Sequence, residues 1–184
     1  FDINIGGCDK GSPPGGYYSP YKNPKLTDGP EGEYLTDRLT NECLSFMENN
    51  RQSPFFLMYS LYAVHNPLQA PAALIKKYQA KQKQLGIENK DRFAKDEDWM
   101  KYENGWRRRL VQDNPVYAAM IENMDWNIGR LLDKLKQLNL DENTLVIFTS
   151  DNGGLSTAEG SPTVNVPLRA GKGWLYEGGV RVPL

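Results

Sequence analysis

The sequence predicts an α/β domain with a mainly parallel central sheet, and three observations lead there. Residues 55–64 and 144–149 form two nearly unbroken apolar runs. Runs of that length without outward polar alternation suit strands buried on both faces, as in a parallel sheet. Before and between them apolar residues recur at helical spacing, and the last such stretch leads into 144–149 through a short turn. Helix then strand completes an α/β unit.

Taken in order, residues 6–32 hold five prolines and seven glycines around "GGYYSPYKNPKL", an irregular aromatic-bearing loop. From Tyr34 onward Leu35, Leu39, Cys43 and Phe46 recur with polar residues between them, which predicts an amphipathic helix over 33–49. The run 55–64, set between Pro54 and Pro67, predicts the first strand, with His65 just past its end. Pro71 and Gly86 bracket a short helix over 71–85. Residues 86–113 are charged and poor in aliphatics, a surface excursion. Asn114-Pro115 reads as N-cap and first turn of a long helix whose stripe is Tyr117, Met120, Met124, Ile128, Leu131, Leu135 and Leu138.

Composition narrows the function classes. The formal net charge is −1, which leaves no electrostatic footprint for nucleic acid or an anionic membrane. No run approaches the ~20 apolar residues of a membrane-spanning helix. Phe1 is preceded by no initiator Met or leader segment, and Val182-Pro183-Leu184 reads as the start of another strand, so the expectation is a segment of a longer protein. Cys8 and Cys43 form no CxxC pair and cannot build a zinc site alone, which leaves open whether they pair.

Both apolar runs end in polar residues, His65 after the first and Asp151-Asn152 after the second. In open α/β sheets ligands bind beyond the carboxyl ends of strands. Asp151 offers an anionic oxygen and Asn152 a neutral carbonyl oxygen, donors that Ca²⁺ or Mg²⁺ take. By itself "SDNGG" after a strand is more often a plain turn. His65, the single histidine, reads either as structural or as a site residue. Lys172, between Gly171 and Gly173, reads as a solvated loop lysine or as a point charge facing an anion. Together with Arg169 these residues would suit a tetrahedral anion, a sulfate or phosphate ester.

The blocks "GEYLTDRLTNECLSFM", "PFFLMYSLYAVHNPLQAP", "YAAMIENMDWNIGRLLDKL", "TLVIFTSDNGG" and "PLRAGKGWLYEGGVRVPL" resemble, in order, the formylglycine-dependent sulfatases of the arylsulfatase type, in the alkaline-phosphatase-like superfamily. The resemblance implies an α/β/α sandwich and a sulfuric ester hydrolase. It implies Asp151 and Asn152 as calcium ligands, with Mg²⁺ the other cation such donors would take. It implies that His65 and Lys172 are catalytic and meet the sulfate; Arg169 stands beside them as a further substrate-binding candidate by its charge alone. In that family a hydrated formylglycine attacks sulfur and the cation acts as Lewis acid. A sulfated glycan is the implied substrate, with a small aryl sulfate as the other option, and the implied location is periplasmic or extracellular.

Neither Cys8 nor Cys43 lies in the Cys-x-Pro-Ser-Arg pattern from which the formylglycine is made, and the family's N-terminal aspartates fall upstream of what this chain matches. The expectation is therefore that residues 1–184 form part of a single catalytic domain, lacking its nucleophile-bearing portion and inactive alone. Two rivals follow. A two-zinc phosphodiesterase or phosphatase of the same superfamily would want more imidazoles than His65, and Asn152 favours calcium over zinc. A non-catalytic sulfatase-like remnant would bind without turnover. Tyr17, Tyr18, Tyr21, Trp99, Trp106 and Trp126 could stack on sugar rings or pack internally, with packing favoured for Trp126.

Overall fold

The computed structural model describes residues 1–88, 91–94 and 107–184. The chain divides into two compact units: Phe1–Lys77 with Val116–Leu145, and Tyr78–Pro115 with Val146–Leu184. Its helices are α1 (Leu35–Asn50), α2 (Ala72–Gln84), α3 (Pro115–Gln137) and the single turn α4 (Glu177–Val180). No described helix is long and apolar enough to cross a membrane.

In the first unit, α1 buries Leu35, Leu39, Cys43 and Met47, a stripe repeating every four residues. Phe46, expected on that stripe, lies beside it and meets Phe55 edge-on at 5.5 Å. On α3, Tyr117, Ala119, Met120 and Leu135 are buried. Each large apolar side chain so enclosed contributes about 1.5–3 kcal/mol. Two polar residues share this buried face. Asn123 and Asn127 donate to one carboxylate oxygen of Asp37 at 2.9 and 2.7 Å, and Arg130 bridges Asn127 and Asn41 at 2.8 and 2.5 Å. A carboxylate at a helix-helix seam needs such donors to offset its lost hydration.

The glycine- and proline-rich loop is irregular, as expected, but its tyrosines are core. Tyr17 and Tyr21 are buried, and Tyr18 packs edge-on against Tyr34 at 5.2 Å. Sugar stacking is thereby closed to Tyr17 and Tyr21. Trp126 departs the other way: it is 56% exposed, with the Arg130 guanidinium 4.8 Å from its ring centre. Trp99 and Trp106 lie outside the described residues.

The expected strands form no ladder among the described residues, whose bridges are the isolated pairs Tyr18–Tyr34 and Phe93–Arg109. Residues 55–60 nonetheless alternate in exposure with period two, the signature of an extended segment covered on one face. The covered face meets α1, where the Tyr59 hydroxyl donates to the Thr36 carbonyl at 3.1 Å. Phe56 on the other face is 75% exposed, and Leu145 of the second run 85%. Burial on both faces is thus not what this chain shows. An apolar run is buried twice only where a second layer reaches it, and α1 supplies one.

Candidate active-site loops

The second unit is built around two glycine-bearing loops that meet backbone to backbone. The Gly153 N–H donates to the Gly179 carbonyl at 2.9 Å, and the Lys172 N–H donates to the Gly154 carbonyl at 3.0 Å. A Cβ at Gly153 would lie 1.8 Å from the Gly178 carbonyl oxygen, closer than any side chain permits. This explains the glycines of "SDNGG": they let the Asp151-Asn152 turn seat directly against the loop that carries Arg169 and Lys172. Those four predicted residues are therefore brought together on two joined loops.

Their surroundings differ. The Asp151 carboxylate is exposed and has no ion pair or hydrogen bond among the described residues, and Asn152 is half-buried. The Ser150 hydroxyl donates to the Asn152 carbonyl at 2.8 Å, closing the turn. Lys172 is half-buried. The exposed Arg169 lays its guanidinium over the Tyr176 ring, 3.9 Å from its centre, and Tyr176 stacks in turn with Trp174 at 6.5 Å. Tyr176 is thus engaged in packing, and Glu177 pairs with Arg181 at 3.1 Å on the surface.

As cation donors, Asp151 and Asn152 present hard oxygens, the chemistry that calcium or magnesium takes. They supply part of a shell: among the described residues no group of three or more His, Cys, Asp and Glu could hold a metal. The pair fits such an ion as two of its ligands.

His65 belongs to the first unit and sits half-buried in a tight turn, its N–H donating to the Tyr62 carbonyl at 2.8 Å. Its Nδ1 lies 3.0 Å from the Asn66 carbonyl oxygen. A carbonyl only accepts, so Nδ1 carries a proton and Nε2 is the ring atom left to exchange one. Sequence reasoning missed what holds this turn. The buried Tyr17 hydroxyl lies 2.7 and 2.9 Å from the Tyr62 and His65 carbonyl oxygens, and burial pushes its acidity well below that of an ordinary tyrosine. A cavity of about 1340 Å³ between residues 1–11, α1 and 54–62 is lined by none of the predicted site residues.

Also missed was the buried pair under the second unit's loops. The Arg109 guanidinium meets Asp113 and the Ser161 carbonyl, while its backbone N–H donates to the Ser156 carbonyl at 2.9 Å. Burial lowers the Arg109 pKa, and Asp113 works against that shift. Both residues fall within 86–113, read from its charge as a surface excursion, and their burial corrects that reading for these two positions. Cys8 and Cys43 are unbridged, with Cys8 Sγ 3.4 Å from the Tyr62 hydroxyl.

With this geometry in hand, comparison with known proteins is specific. A family model described as Sulfatase matches residues 8–184. The chain is 37% identical over 172 residues to a sulfatase of Formosa agariphila, covering 88% of this chain and 26% of that protein. It is 31% identical over 144 residues to an arylsulfatase of Klebsiella aerogenes, covering 67% of this chain and 31% of that protein. A crystal structure of Ps i-CgsB in complex with k-i-k-neocarrahexaose superposes with a TM-score of 0.61 at 33% identity, over 85% of this chain and 28% of that one. The chain thus spans about a quarter to a third of the length of these proteins.

Proposed function

The chain belongs to the sulfatase family, and from that premise we propose that it supplies part of the catalytic domain of a sulfuric ester hydrolase. Asp151 and Asn152 hold a calcium ion there, with magnesium as the alternative. Lys172, His65 and Arg169 meet the sulfate ester. The observation that carries this is the hydrogen bond from the Lys172 N–H to the Gly154 carbonyl. It ties the loop bearing a cationic side chain to the loop bearing two oxygen donors, and that proximity of the two backbones supports the reading.

When bound, the cation supplies Lewis-acid polarisation of the sulfate oxygens, and a formylglycine upstream of this chain supplies the nucleophile. Lys172 balances the negative charge of the ester as a point charge. His65, with Nδ1–H committed to Asn66, would give the Nε2 proton of its imidazolium form to the departing oxygen and be left as the neutral Nδ1–H tautomer. Arg169 adds positive charge at the loop rim while its guanidinium rests on Tyr176.

A sulfated carbohydrate is the proposed substrate, supported by the oligosaccharide named with Ps i-CgsB; the arylsulfatase relative keeps small aryl sulfates as the second candidate. A periplasmic or extracellular location goes with this reading. In the whole protein residues 1–184 join one α/β/α sandwich, and runs 55–64 and 144–149 take places in its mainly parallel sheet. The exposed faces at Phe56 and Leu145 support that expectation.

The test uses the full-length protein. Asp151→Ala should abolish the rise in Tm on adding calcium. Lys172→Ala should keep that rise and lower turnover of a sulfated oligosaccharide about 10²–10³-fold. An unchanged calcium response in Asp151→Ala would remove the metal assignment.

A further inference from the structure

Within the second unit one side chain touches both joined loops and belongs to neither. The Asn165 amide nitrogen lies 2.7 Å from the Gly154 carbonyl oxygen, 3.1 Å from the Ala170 carbonyl oxygen and 3.2 Å from Ser156 Oγ. Carbonyls only accept, so the amide's orientation is fixed with its NH₂ inward. Each carbonyl also receives a donor from the opposite loop. Gly154 O accepts from the Lys172 N–H at 3.0 Å, and Ala170 O accepts from the Ser156 hydroxyl at 2.9 Å. Two glycines make room for this amide: a Cβ at Gly154 or Gly171 would fall 2.7 Å from its oxygen or nitrogen.

We propose that Asn165 is a positioning residue, setting the backbone of Lys172 against the Asp151-Asn152 turn. The role rests on the sulfatase reading above and names how that site is held in register. Asparagine suits the position because one planar NH₂ offers two protons to acceptors on two different loops. An aspartate of the same shape would instead press one carboxylate oxygen against two carbonyl oxygens, losing both donated protons at once. Asn165 acts on Lys172 through the Gly154 and Ala170 carbonyls that its amide holds.

The experiment is a double-mutant cycle in the full-length enzyme, with kcat and KM measured on a sulfated oligosaccharide for wild type, Asn165→Asp, Lys172→Ala and the double variant. Asn165→Asp should lower kcat about 10–100-fold in the wild-type background and less than about 2-fold in the Lys172→Ala background. Equal losses in both backgrounds, or no loss in the first, overturn the role. Normal turnover in Lys172→Ala instead overturns the sulfate-site reading on which it rests. If Asn165→Asp fails to fold, Ser156→Ala, which removes the hydroxyl link alone, replaces it in the same cycle with the same two outcomes.

Discussion

Each of the two units has its own kind of internal contact. The first encloses tyrosines, leucines and methionines, among them Tyr17, Tyr21, Leu35, Met47 and Met120. Among the described residues of the second, buried side chains are small or polar: Ser156, Thr157, Ala158, Ser161, Thr163 and Ala170 around the Arg109–Asp113 pair. One is a side-chain core, to which each apolar group adds by leaving water. The other is a backbone assembly, where glycines let carbonyls and N–H groups approach and a charged pair anchors the loops. The difference teaches that loops whose side chains form no apolar core can still be held, by backbone hydrogen bonds and a buried ion pair.

The sharpest way to break the comparison is at the ion pair. Asp113→Ala leaves the Arg109 guanidinium buried without its partner, and equilibrium unfolding should show a loss of about 3–5 kcal/mol. A loss below about 1 kcal/mol would mean that the second unit does not depend on charge in this way. In the first unit, Met120 is fully buried, and Met120→Ala should cost about 2–5 kcal/mol by the same measurement, set by how far α1 and α3 close over the gap. The smallest effect concerns Cys43. Burial in the α1 stripe, with Glu42 adjacent, pushes its thiol up from 9.0 to about 11. The native state therefore keeps the proton where the unfolded chain releases it. Its contribution is complete below about pH 8.5 and is lost as the pH rises towards 11. Iodoacetamide at pH 8 should modify Cys8 well before Cys43, and Cys43→Ala should flatten the decline in Tm between pH 9 and 11. Equal labelling of the two thiols would contradict the enclosed stripe.

Much of the helical framework was legible because a helix writes its period into the chain. The expected spans 33–49 and 71–85 stand against Leu35–Asn50 and Ala72–Gln84 observed, and Asn114-Pro115 opens α3 at Pro115. Trp126 was misjudged by the same logic. It lies beside the apolar stripe, and only the packed neighbours reveal that this flank faces water under Arg130. Asn123 and Asn127 were overlooked because polar residues on a buried face look like exposed ones until Asp37 is seen opposite them.

The candidate site divides in the same way. Asp151, Asn152, His65 and Lys172 stand out in the sequence as candidates because their chemistry is carried by residue type next to recognisable turns. What holds them, namely Tyr17 beneath the His65 turn and Asn165 between the two loops, does not. A hydrogen bond spanning 48 residues, as from Tyr17 to His65, or 11, as from Asn165 to Gly154, has no local pattern. The sequence by itself determined the helices, the glycine-bearing loops and the kind of donors they carry, since these depend on neighbours a few residues away. Only the tertiary structure decided which carbonyl each N–H finds, which tyrosines are core, and that residues 55–60 of the first apolar run are covered on one face, because those outcomes depend on what is close in space.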